Sequence, residues 1–263
     1  MASLTRMTLP VNGFEMRLLR GGEGAPLLYL HGAGGAPVVV EFMELLAERF
    51  EVMVPEHPGF GASEDPGWFD NIHDLAYYYL DALEALGLED VHLVGNSLGG
   101  WIALEMAVRN TSRLKSLTLV GAAGIDLDDV PRPDMFMWTF AELARHCFHD
   151  PALAEKAAAL AEEATPEQLE VQLKNQRTVA KVAWAPRWYD PHLAKWLHRI
   201  DVPTHVVWAA DDRILDVAYA EAFADAITGA HVNIVPECGH LIHAEKPAEF
   251  SRVVTDFIEG LAP

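Results

Sequence analysis

Cysteine and positive charge are both scarce in this 263-residue chain. Its 2 cysteines, Cys147 and Cys238, are too few and too far apart for a disulfide framework or a thiolate metal site. Both are expected to be ordinary buried or half-buried thiols. Basic residues number 19 against 39 acidic, a formal charge of −20. That balance excludes a nucleic-acid partner, whose binding energy comes largely from cations neutralising phosphates. It also opposes adsorption to anionic membranes. No apolar run reaches the ~20 residues a spanning helix needs. The opening stretch MASLTRMTLPVNGFEMRLLRGG shows no apolar segment before a cleavage site. The expectation is a cytoplasmic protein with no membrane insertion.

What is present is a globular composition, 51% hydrophobic and 22% charged. Short apolar runs at 26–32, 50–56, 91–96, 114–121, 204–210 and 231–237 read as buried strands. Helical patterns at 38–50, 72–87, 99–110 and 218–228 fall between most of them. Such alternation predicts βαβ units and a mostly parallel central sheet with helices on both faces. Sites in such sheets form at the carboxyl ends of the strands. Between about Ile125 and Pro191 the alternation stops: the stretch is helical in pattern and broken by prolines. This predicts core segments at 1–125 and 191–263 and a helical cap inserted at 126–190.

The stretch GNSLGG, residues 95–100, places Ser97 between glycines where a predicted strand turns into a predicted helix. In G-x-S-x-G the serine occupies a strained turn, and small neighbours let strand and helix approach. The turn lifts the hydroxyl above the sheet edge, next to the N–H groups that open the helix. A serine needs a base, and the base an orienting acid. His240 follows the last predicted strand, and Asp211 and Asp212 follow the strand before it. All of them therefore sit at carboxyl ends of strands.

With the motifs His31-Gly32-Ala33-Gly34-Gly35, Pro58-Gly59-Phe60-Gly61-Ala62-Ser63, GNSLGG, Asp211-Asp212-Arg213 and Cys238-Gly239-His240 in that order, the chain resembles the α/β-hydrolase superfamily along nearly its whole length. The resemblance implies an α/β-hydrolase fold with a helical cap, Ser97 as nucleophile and His240 as general base. The acid turn commonly reads G-x-x-D, a register that favours Asp212, although Ala209 replaces the glycine. The oxyanion hole would use the backbone N–H groups of Leu98 and Ala33. His31, Asp216 and Trp101 are expected to be structural.

Asn96 is read either as tuning the turn or as touching substrate. Met135, Trp138 and Trp184 are expected to line an apolar acyl pocket. His146 with His149, and His240 with His243, have metal-compatible spacing but no completing ligands. No metal and no cofactor is expected. The function this implies is hydrolysis of carboxylic esters, lactones included, through an acyl-enzyme. The alternatives are carbon–carbon bond hydrolysis of ring-cleavage products, and a slow-turnover ligand receptor. The GNSLGG turn resembles the elbow of the carbon–carbon hydrolases, whereas HGAGGA and Leu241 depart from their usual residues.

Overall fold

The structure is a computed structural model and describes residues 4–36 and 41–261. Eight strands form one sheet: β1 (Thr5–Val11), β2 (Phe14–Gly21), β3 (Ala25–Leu30), β4 (Phe50–Pro55), β5 (Val91–Asn96), β6 (Leu114–Val120), β7 (Thr204–Ala209) and β8 (His231–Val235). Their spatial order is β1-β2-β4-β3-β5-β6-β7-β8. From β4 to β8 every neighbouring pair is parallel; β1 and β2 add an antiparallel edge.

Strand alternation splits the core into two layers. Leu28, Leu30, Leu93, Leu117, Val206 and Trp208 face one side, onto the helices α2 (Ile72–Ala85), α3 (Leu98–Ala107) and α7 (Ala218–Ala226). Leu27, Tyr29, Val54, Val94, Val120 and Val207 face the other, onto α1 (Glu41–Leu46), the single turn α8 (Ile242–Glu245) and α9 (Pro247–Glu259). Every residue of α3 is buried, because the helix runs beneath the sheet's centre rather than along a wet face.

All six sequence-read strands are present to within two residues at their ends. The hairpin of β1 and β2 was not read from the sequence. Asn12 and Gly13, with φ of 52° and 84°, make its two-residue turn. Pro10 is accommodated because β1 is an edge strand. The reading also missed α9, although Phe250, Val253, Val254 and Ile258 recur at helical spacing on its buried face. Of the helix expected at 38–50, residues 41–46 are helical, β4 already begins at Phe50, and 38–40 lie outside the described residues.

Between β6 and β7 lie α4 (Phe140–Cys147), α5 (Pro151–Glu162) and α6 (Pro166–Ala183), with short 3-10 turns before and after. The prolines here start helices as well as ending them: Pro151 and Pro166 each occupy a first turn. Thr139 and Thr165 form capping boxes with Glu142 and Gln168. The helix α6 is fastened to core loops. Thr178 Oγ1 donates to the Gly59 carbonyl at 2.7 Å, and Lys174 Nζ to those of Gly61 and Ser63 at 2.7 and 3.0 Å. Asn175 donates to the Gly34 carbonyl at 3.1 Å and accepts from the Gly61 N–H at 2.9 Å. These bonds set the insertion over the strand ends. No helix among the described residues is long and apolar enough to cross a membrane.

Candidate active site

The strand β5 ends at Asn96 and α3 begins at Leu98, so the chain reverses at Ser97 alone. Ser97 holds φ 53° and ψ −113°, a region that costs a non-glycine residue about 1–3 kcal/mol and persists only when its surroundings enforce it. Enforcement comes from both sides. The Ser97 N–H donates to the Val120 carbonyl at 2.9 Å, and its own carbonyl accepts from Ala123 and Trp101, each at 3.1 Å. A Cβ at Gly95 would lie 2.5 Å from the Gly99 carbonyl oxygen, and one at Gly99 would overlap the backbone of Leu30. Both glycines are thus steric conditions of the turn. The Ser97 side chain lines a cavity of about 510 Å³.

His240 lies in the loop after β8 and Asp212 in the turn after β7; both side chains are buried. His240 Nδ1 donates to Asp212 Oδ2 at 2.7 Å, and His240 and Ser97 both line the cavity. Asp212 Oδ1 accepts from the backbone N–H groups of Ile214 and Leu215 at 2.8 and 2.9 Å. Three donors therefore fix the orientation of this carboxylate. Asp211 points elsewhere: it pairs with His149 at 3.0 Å on the half-exposed surface. The turn that G-x-x-D makes with glycine is made here with Ala209 as the last residue of β7. Gly121, at φ 49°, passes beneath the pair, and a Cβ there would lie 3.3 Å from the His240 ring.

The N–H groups of Leu98 and Ala33 donate to no protein acceptor among the described residues, as an oxyanion site requires. The loop bearing Ala33 rests on a buried histidine pair. The His57 N–H donates to His31 Nε2 at 3.0 Å, so His31 carries its proton on Nδ1 and donates to the Gly32 carbonyl at 2.7 Å. His57 Nε2 donates to the His31 carbonyl at 2.8 Å, and Nδ1 then accepts from Tyr79 at 2.5 Å. Burial lowers His31 to about 4 and His57 well below its ordinary value, so both rings are neutral. They support the loop through these bonds.

Asn96 donates to the Val120 carbonyl at 3.2 Å and also borders the cavity; both of its readings have a structural basis. Met135 and Trp138 line the insertion side of the cavity. Trp184 does not, and this corrects the sequence expectation. It follows the last residue of α6, is 50% exposed, packs edge-on against Phe136 at 5.1 Å, and carries the Arg187 guanidinium over its ring at 4.3 Å. The chain reverses after it, and Trp188, at φ 63°, turns inward to line the cavity instead.

Sequence reasoning missed Gln172 and Gln176, which border the cavity from α6, and Glu245. The Glu245 carboxylate accepts from Gly239 at 2.7 Å, His149 at 3.0 Å and Asp150 at 2.7 Å. It clasps the His240 loop to the end of α4. It lies five residues after His240, and no sequence motif marks its role.

The spaced histidine pairs do not converge: His146 stacks on Trp138 at 4.1 Å, and His149 meets Asp211. Among the described residues, one group has ligand atoms close enough for a metal, His73 with Glu105 and Asp190. Arg109 already supplies the cation there, pairing with Glu105 and lying 2.8 Å from His73 Nδ1.

The sheet order, the Ser97 turn and the buried Asp212–His240 pair converge on one class. The chain belongs to the α/β-hydrolase fold family, whose profile matches residues 25–247. Among curated proteins it is 29% identical to a 2-hydroxymuconate semialdehyde hydrolase of Pseudomonas sp. (strain CF600), covering 94% of this chain and 91% of that one. It is 28% identical to a 2-hydroxy-6-oxo-6-(2'-aminophenyl)hexa-2,4-dienoic acid hydrolase of Metapseudomonas resinovorans, over 95% and 89%. Among solved structures it superposes on a bacterial membrane phospholipase A with a TM-score of 0.82, at 26% identity, over 98% of this chain and 86% of that one.

Proposed function

We propose that this protein is a serine hydrolase that cleaves a carbon–carbon bond next to a ketone, in a conjugated dienone of the kind produced by ring cleavage. The observation that carries this reading is full-length similarity to hydrolases of such dienones, together with the elbow at Ser97 and its oriented histidine. It replaces simple ester hydrolysis as the leading assignment. Ester cleavage stays as the second reading because it uses the same atoms and because a phospholipase superposes on the whole chain.

In the proposed reaction the dienol first tautomerises, placing a CH2 beside the ketone to be cleaved. Ser97 Oγ adds to that ketone while His240 Nε2 takes its proton, and Asp212 stabilises the imidazolium. The N–H groups of Leu98 and Ala33 hold the oxyanion, each such donor being worth ~3 kcal/mol in comparable sites. Collapse breaks the carbon–carbon bond; the electron pair enters the conjugated enone and is protonated from His240. Water, deprotonated by His240, then releases the acyl group from Ser97 as an acid. The sum is addition of one water across one bond, R–CO–CH2–R′ giving R–COOH and CH3–R′. No step calls for a metal or an organic cofactor.

The test is turnover of 2-hydroxy-6-oxo-6-phenylhexa-2,4-dienoate and its uncharged primary amide, followed by loss of the dienone chromophore, beside p-nitrophenyl esters. Benzoate release from either dienone, abolished by Ser97→Ala, supports the carbon–carbon reading. Ester turnover with no benzoate release moves the assignment to the second reading.

A further inference from the structure

The relatives named above act on dienoic acids or their semialdehydes, all carrying a carboxylate, so a cavity built for such substrates needs a cation. This cavity offers none among the described residues. Among the described residues no Lys, Arg, Asp or Glu lines it, and the undescribed residues 37–40 are Pro and Val. Its walls are dominated by apolar groups, among them Met135, Phe136, Trp138, Leu143 and Trp188. Its polar side chains away from Ser97 and His240 include the uncharged Asn96, Gln172 and Gln176.

The histidines do not fill the gap. His31 is lowered to about 4 and His243 to about 3 by burial, and both border the cavity as neutral rings. Among the described residues the cations of the insertion lie off the cavity lining, the exposed Arg177 of α6 included, and three are committed elsewhere. Arg187 pairs with Asp134, Arg132 pairs with Asp126 at 2.9 Å, and Lys174 is spent on backbone carbonyls of the core. A carboxylate moved into such a space loses its hydration and gains no cation to pair with, and neutral amide and hydroxyl donors offset only part of that loss.

We infer that the cavity selects uncharged carbonyl substrates, and that the group reaching Ser97 carries no carboxylate within the pocket. This rests on the reading that Ser97 is acylated from this cavity. It separates the protein from its acid-cleaving relatives by substrate class, while the chemistry at the serine stays the same. Gln172 Oε1 has no hydrogen-bond partner among the described residues; it and the Gln176 amide then serve a neutral oxygen function, such as a carbonyl or hydroxyl, on the part of the substrate beneath α6.

The experiment compares two esters of equal length and similar reactivity, p-nitrophenyl hexanoate and the mono-p-nitrophenyl ester of adipic acid. It is run at about 0.5 M NaCl, where exposed charges are screened within about 4 Å and the acidic surface contributes little. The expected result is a kcat/KM about 100-fold higher for hexanoate. Gln176→Arg, which places a guanidinium on the cavity wall, is expected to lower that preference at least tenfold; Gln172→Arg is the second variant should the first fail to fold. A preference below tenfold in the wild type, or a preference for the adipate ester, overturns the inference. If neither ester turns over, calorimetric binding of both to Ser97→Ala reads the same ratio against the same thresholds. Because the ester pair does not depend on carbon–carbon cleavage, failure of the dienone assay leaves this result readable.

Discussion

The two walls of the cavity are built in opposite ways. The sheet wall carries Ser97, His240 and the Leu98 and Ala33 N–H groups, and each is held by backbone geometry: a strained φ, a carboxylate with three donors, a loop on two interlocked histidines. The insertion wall is made of side chains on short helices, apolar or amide, whose positions follow from packing and from caps such as Thr139 and Thr165. The first arrangement tolerates almost no change in atom position, whereas the second tolerates repacking. Under the proposed function, chemistry resides in the sheet wall and substrate choice in the insertion wall.

The sharpest way to break that division is Ser97→Ala. Turnover of any cleaved substrate is expected to fall by roughly 10⁴-fold or more, with circular dichroism and melting temperature close to wild type. Retained turnover would put the chemistry elsewhere in the cavity. Next in size is a contrast between two adjacent acids. Asp212→Asn is expected to lower kcat by about 10³–10⁴-fold, since the amide selects the wrong imidazole tautomer. Asp211→Asn, which only loosens a half-exposed ion pair with His149, is expected to change kcat less than threefold. Equal effects would contradict the assignment of the acid.

On the insertion wall the contrast is between two tryptophans, and the effect is smaller. Trp188→Ala is expected to raise KM about tenfold with kcat little changed, by loss of apolar contact common to ground and transition states. Trp184→Ala, outside the cavity, is expected to move KM less than twofold. A reversal of that order in steady-state kinetics would show the insertion sits differently over the site.

A change in stability rather than in rate sharpens the account of the sheet wall. His31, His57 and His243 are buried as neutral rings, with folded-state values below the unfolded 6.5. The unfolded chain then binds more protons below about pH 6.5, so stability falls as pH drops from there toward 4, by up to about 1.4 kcal/mol per pH unit for each ring. Melting curves from pH 7 to 4.5 check this. His31→Gln should flatten the slope, and an unchanged slope would place the acid sensitivity elsewhere.

Much of the sheet wall was legible in the sequence because it is written in local rules. G-x-S-x-G between a strand and a helix can be met in few ways, and the order of Ser97, Asp212 and His240 follows strand order along the chain. Even the choice between Asp211 and Asp212 followed from register. The insertion wall was less legible. Whether Trp184 or Trp188 turns inward depends on a positive φ at residue 188 and on the reversal between them, which no periodicity encodes. The β1–β2 hairpin was written in Asn12-Gly13, yet Pro10 and the polar residues of an edge strand hid its pattern. Glu245 was invisible for another reason: its partners His149 and Asp150 are nearly a hundred positions away, and a carboxylate clasping backbone amides leaves no motif. The carbon–carbon reading, too, came from full-length similarity rather than from the triad, which carboxylic esters would use equally well.

The most direct test of the central claim, that Ser97 is the nucleophile of this cavity, is intact-mass and peptide analysis after exposure to a fluorophosphonate. The account predicts one covalent adduct per chain, mapped to Ser97, formed rapidly in the wild type and absent in Ser97→Ala. No adduct in the folded wild type, or the same adduct in Ser97→Ala, would contradict it.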